Sequence, residues 1–144
     1  MNTEEKPLVN RVAESGLITI KLEDFFPDEP LHSFDLKDYL FMGLILKEKE
    51  FREALQAHDW SRYAGKNLAV FCSEDAIIPM WAYMLVATHL QPHAAFITQG
   101  DADQLERAVF TRFAQEFDVE PYRGARVVVK GCSKLPVPLN AYVE

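Results

Sequence analysis

The chain has 144 residues, 22 acidic against 15 basic, with 49% hydrophobic and 26% charged side chains. That length suits one domain around one core, and a chain half apolar is no disordered tail. A net charge of −7 argues against nucleic-acid and anionic-membrane partners, which recruit clustered Lys and Arg.

Residues 17–22 alternate and are β-branched, so they predict a strand, which Pro27 and Pro30 end because neither has an amide hydrogen for a ladder. The acidic-aromatic stretch Glu23-Asp24-Phe25-Phe26-Pro27-Asp28 is expected to be the loop that ends it, with a partner surface as the alternative. From residue 35 to about 58 the apolar positions Leu36, Leu40, Leu44, Phe51 and Leu55, with Phe41 and Ile45 beside them, predict one long helix with Asp35 as its N-cap. Residues 67–72 form an uninterrupted apolar run, the pattern of a strand covered on both faces. Pro79 then starts a helix over 80–90 that Pro92 stops, and residues 94–98 predict another strand. Asp101 and Gln104 form a capping box for a helix whose stripe is Leu105, Val109, Phe113 and Phe117. Residues 126–130, with three valines running, are the clearest strand, and residues 138–144 begin something helical that stops after about two turns, too short to be stable alone. Strands alternating with helices predict a single α/β domain over residues 1–144, a mainly parallel sheet sandwiched by helices, and the abrupt last turns suggest a missing C-terminal segment.

Two stretches resemble each other. Tyr63-Ala64-Gly65, an apolar strand and Cys72-Ser73 are matched by Tyr122-Arg123-Gly124, an apolar strand and Cys132-Ser133. Each cysteine then lies at the carboxyl end of a strand, the edge where open α/β sheets bind ligands and where a helix start lowers a thiol's pKa. Cys72 and Cys132 are therefore candidate ligands for zinc or iron, with Ser73, Ser133, Asp75 and Trp81 as further binding residues. The structural alternative is that both cysteines simply pack, as cysteine usually does, and Glu74 and Asp75 would raise a neighbouring thiol's pKa. His89 and His93 stand four apart, but Pro92 interrupts the shared helical face. Ser73, His58 and Asp75 lack the G-x-S-x-G setting of a nucleophile elbow, and the six glycines form no phosphate loop.

Two cysteines and no basic-plus-apolar leader are the usage of a cytoplasmic protein. The run 76–90 falls short of the roughly 20 residues that span a bilayer.

The blocks 9–19, 43–48, Pro79-Met80-Trp81-Ala82-Tyr83-Met84 and Val129-Lys130-Gly131-Cys132-Ser133 with Pro136-Val137-Pro138 resemble the bacterial domain-of-unknown-function family 2480. The likeness covers nearly the whole chain and implies a fold more than an activity. It further implies a genomic association with iron–sulfur cluster assembly, and a longer protein carrying a third Cys-Ser-x-x-Pro segment. Three functions follow as expectations: a cysteine-based metal- or sulfur-binding accessory factor, a thiol enzyme, or a protein-interaction scaffold with structural cysteines. Protein partners or a homodimer are compatible with each.

Overall fold

The computed structural model describes residues 15–28, 30–131 and 135–144. Among the described residues five short strands are all parallel: β1 Ile18–Lys21, β2 Leu31–Asp35, β3 Asn67–Phe71, β4 Phe96–Gln99 and β5 Val127–Lys130. They form two sheets, one of three strands in the order β2-β3-β4 and one pairing β1 with β5. The helices are α1 Glu48–Ala57, α2 Met80–Leu90, α3 Ala102–Glu116 and the short α4 Asn140–Val143. This is the α/β architecture that the alternating pattern predicts, with its parallel strands divided between two sheets.

The three-stranded sheet is covered on both faces, which is why β3 reads as a continuous apolar run. On one face Phe34, Leu68 and Val70 meet Phe51 and Leu55 of α1 and Ala82, Val86 and Leu90 of α2. Buried residues four apart on α2 are one face of its helical period. On the other face the register aligns Ser33, Ala69 and Thr98 in a row of small side chains. Over this face lies α3, in contact with all three strands. The helix also reaches the segment after β1, where Phe25 stacks on Phe113 with ring centroids 3.9 Å apart and Phe26 meets Phe110 edge-on at 4.9 Å. The stretch 23–28 is thus the end of a 3-10 turn over Leu22–Phe25 and the loop after it, and its aromatic members pack inward.

The start of α3 is the predicted capping box: the Gln104 amide donates to Asp101 Oδ1 at 2.9 Å, and the Asp101 amide donates to Gln104 Oε1 at 2.8 Å. Its deepest side chains are Leu105 and Phe110, whereas Val109, Phe113 and Phe117 are half-buried.

The predicted helix over 35–58 does not form as one element. Only its second half is helical, as α1; the first half is the end of β2, a 3-10 turn at Leu36–Tyr39 and a tight loop. Asp35 caps that turn, accepting from the Lys37 amide at 3.0 Å. The loop closes on itself through a bridge in which the Phe41 amide donates to the Ile45 carbonyl at 2.7 Å. Its tip needs positive φ at two successive residues, Met42 at 53° and Gly43 at 71°. Glycine at the second position removes a steric cost that a helix would never have asked for.

The Tyr-x-Gly likeness is structural. Each copy is a 3-10 turn, Trp60–Tyr63 and Glu120–Tyr122, opened by an aspartate whose carboxylate accepts an amide two residues on. Each ends in a type II turn with Gly65 at φ 70° or Gly124 at φ 74°, then enters a strand. The aspartates Asp59 and Asp118 extend the repeated unit upstream of the tyrosines.

Candidate functional site

Cys72 directly follows β3, at the carboxyl edge of the three-stranded sheet. It is half-buried, carries a free thiol, and packs against the core face beneath α1 and α2. Tyr83 on α2 lies close enough for the two to interact electrostatically, and burial first, then Cys72, pushes the Tyr83 phenol above its ordinary value. Residues 73–79 lie between Cys72 and the first turn of α2 along the chain. Trp81 packs edge-on to Phe51 at 5.9 Å, with the Arg52 guanidinium 5.5 Å from its ring centroid. Asp75 is exposed in the loop. Cys132 and Ser133 lie outside the described residues. The strands that lead to the two cysteines, β3 and β5, are in different sheets and are not neighbours. Among the described residues no three of His, Cys, Asp and Glu gather as a metal-binding group.

The polar chemistry at this edge centres on Asp35. Its Oδ1 accepts from the Ser73 amide at 3.1 Å and from the Lys37 amide, tying the end of β2 to the residue after Cys72. Burial pushes the carboxyl up, but hydrogen bonds from Ser73 and Lys37 outweigh it and hold Asp35 below its ordinary 3.8. A depressed folded value stabilises the fold above the unfolded value, and that contribution disappears as pH falls through the folded one. Asp35→Asn is therefore expected to cost about 1–2 kcal/mol at neutral pH. In urea titrations from pH 7 downward, the gap to wild type should close only in acid, below 3.8; a gap independent of pH would refute the assignment.

A second arrangement, which no sequence motif announces, runs along the outer edge of β2. It is a cavity of about 330 Å³ bounded by β2 on one side and, on the other, by the turn after β2 and the α1–β3 connection. Its polar lining includes His32, Asp38, Tyr39, His58, Arg62 and Tyr63. His58 shares a hydrogen bond of 3.0 Å with the Tyr63 hydroxyl, and Phe34 supplies an aromatic wall whose ring lies 5.4 Å from Tyr39. Burial and the neighbouring Arg62 push the His58 imidazole below its ordinary 6.5, against a smaller opposite pull from Asp59. Tyr39 and Tyr63 are both raised, chiefly by burial. His32 Nε2 is buried without a hydrogen-bond partner among the described residues. Nothing in sequence spacing could have joined His32 to His58, because they meet only when β2 lies against the α1–β3 connection. The one local clue is polar character at His32 and Ser33 within an otherwise apolar strand.

His89 serves packing. It stacks on Trp60 at 4.9 Å and 10°, and the indole Nε1 donates to the Leu55 carbonyl at 2.7 Å. Of Ser73, His58 and Asp75, His58 bonds to the Tyr63 hydroxyl, the Ser73 amide donates to Asp35, and Asp75 is exposed.

No helix among the described residues is long and apolar enough to cross a membrane. No curated protein and no solved structure matches the chain. A family model described as "protein of unknown function (DUF2480)" matches residues 6–144. That match takes in both Cys-Ser units, the loop at 41–45 and the Trp81-Ala82-Tyr83 helix start, and the chain belongs to the DUF2480 family.

Proposed function

We propose that this protein is a non-enzymatic protein-interaction module, and that the loop after the first 3-10 turn of the three-stranded sheet is its contact point. The observation that carries this reading is an apolar tip held out in a fixed shape: Phe41, Met42, Leu44 and Ile45 are 46%, 78%, 63% and 54% exposed. Their spacing would have buried them in a helix; the chain instead spends a glycine and a strained Met42 on presenting them. Departures of this kind from local sequence preference concentrate at functional positions. Methionine adapts to irregular apolar surfaces, and Lys47, 3.5 Å from the Phe41 ring centroid, gives the tip a charged rim. Under this reading Cys72 is a packing residue.

The test is a photo-crosslinking residue at Met42, with the exposed Gln56 of α1 as control position. A single identified protein should crosslink from Met42 only. Reconstituted with the purified chain, it should bind about tenfold more weakly to Leu44→Lys, the loss of roughly one buried apolar side chain. Equal crosslinking from both positions, or affinity indifferent to Leu44→Lys, would sink the reading.

The second reading is the cysteine-based metal or sulfur factor, favoured by the place of Cys72 at a sheet's carboxyl edge. Elemental analysis of the same preparations distinguishes it. Stoichiometric zinc or iron that is lost in Cys72→Ser would put it first.

A further inference from the structure

The helix α2 differs from its neighbours in charge. No Asp, Glu, Lys or Arg occurs from residue 76 to residue 90, whereas α1 exposes Lys49, Arg52 and Glu53 and α3 exposes Asp103 and Arg107. A helix that is apolar on every side is normally covered on every side. Here Ala82, Val86 and Leu90 are buried against the sheet, and the opposite side is bare: Ile77, Met80 and Met84 are 92%, 83% and 69% exposed. Met80, Met84 and Thr88 follow at four-residue steps, so the bare side is one stripe, entered from Ile77 and closed by the exposed Gln91.

Two properties of the stripe select a second copy of this chain as its cover. The first is charge. The chain carries −7, so two copies repel where their acidic surfaces meet, and α2 gives them a long helix on which no like charges face each other. Glu74 and Asp75 stand just before its N-terminal end. An antiparallel pairing puts the two acidic pairs at opposite ends of the contact, while a parallel one would set them side by side. The second property is shape. Bulk is gathered towards the N-terminal end, in Ile77, Met80 and the half-buried Trp81, and small side chains towards the C-terminal end, in Ala87 and Thr88. Antiparallel pairing about Met84 sets Met80 against the partner's Thr88 and Trp81 against the partner's Ala87, large against small, as interlocking layers require. The Thr88 hydroxyl already donates to the Met84 carbonyl at 2.8 Å, so covering it strands no donor.

We infer that α2 is a homodimerisation helix: two copies of the chain pair antiparallel across a twofold axis at Met84, through a surface separate from the tip at 41–45. Such a contact is isologous, each copy offering the same stripe, and flexible methionines at its centre adjust to one another.

Sedimentation equilibrium over a concentration series tests this. The mean mass should rise from 16.5 kDa towards twice that value, with a Kd at or below about 100 µM. Met84→Lys places two ammonium groups together on the axis and should weaken the dimer by about tenfold or more, with an unchanged circular dichroism spectrum because Met84 is exposed in the monomer. Met80→Lys and Thr88→Glu should each weaken it, and the double variant should dimerise more tightly than either, since antiparallel pairing alone brings the new charges together with opposite sign. Leu44→Lys should leave the dimer unaffected, so this outcome does not depend on the reading of the tip. A chain still monomeric at about 1 mM would leave the stripe to a different protein and overturn the inference. A dimer that survives Met84→Lys, a dimer lost in Leu44→Lys, or a double variant no tighter than the single ones would overturn it equally.

Discussion

Trp60→Ala is expected to destabilise the protein by about 3–5 kcal/mol, the range for removing a large aromatic from a packed core. Total stabilities of small domains run to about 5–15 kcal/mol, so this single change should approach unfolding. Trp60 is 8% exposed and stacks between Phe34, at 5.3 Å, and His89. It therefore joins β2, α2 and the α1–β3 connection at one point. Its indole also satisfies the Leu55 carbonyl, which lies in the last turn of α1 where carbonyls lose their helical partners. Trp60→Phe separates the two contributions: it keeps most of the ring burial and gives up the hydrogen bond, for an expected cost nearer 1–2 kcal/mol. Urea unfolding followed by far-ultraviolet circular dichroism measures both. Equal losses for the two variants would mean that the hydrogen bond, rather than the packing, dominates.

Gly100→Ala is expected to cost about 2–4 kcal/mol, combining backbone strain with a damaged helix cap. Gly100 sits at φ 136°, a conformation that side chains rarely allow, between β4 and α3. A methyl group there would come within 2.8 Å of Gln104 Cβ and Cδ and would also collide with Gln104 Oε1. An ordinary flexible side chain would swing away, but this oxygen is the acceptor for the Asp101 amide. Moving it breaks half of the capping box. Gln104→Ala alone should cost only about 1 kcal/mol. The double variant should lose less than the sum, because the second change removes what the first collides with. Strict additivity in a thermal or urea double-mutant cycle would show that the collision does not operate.

What could be read from residues alone follows from the range of the interaction that fixes each element. The capping box at Asp101 and Gln104, the valine run of β5 and the apolar run of β3 are set by neighbours a few positions away, and their elements formed where expected. The Tyr-x-Gly units were visible as a likeness, and their type II turns explain why glycine recurs there. β2 was hidden because Pro30 precedes it and His32 and Ser33 interrupt its apolar pattern. The periodicity of Leu36, Leu40 and Leu44 imitated a helix, and only the pairing of β2 with β3 decides otherwise. The candidate site divides the same way. The place of Cys72 after β3 was legible, since a strand end is a local feature. The β2 cavity was not, because His32, His58 and Arg62 belong to segments brought together by tertiary packing.

The pairing of β1 with β5 has a consequence for how the chain reaches this fold. Ile18 finds its partner at Val127, across nearly all of the described chain, whereas β2 pairs with β3 and β3 with β4, each with the next strand along the chain. Closing a loop of that length before any reward is collected is entropically slow. The three-stranded sheet, with α1 and α2 on its face, is the unit that can assemble early. The outer pair must wait until α3 has docked and its aromatic contacts with Phe25 and Phe26 have drawn the two ends of the chain together. The two-stranded sheet is therefore expected to be where native-state fluctuations begin, a site of early amide hydrogen exchange.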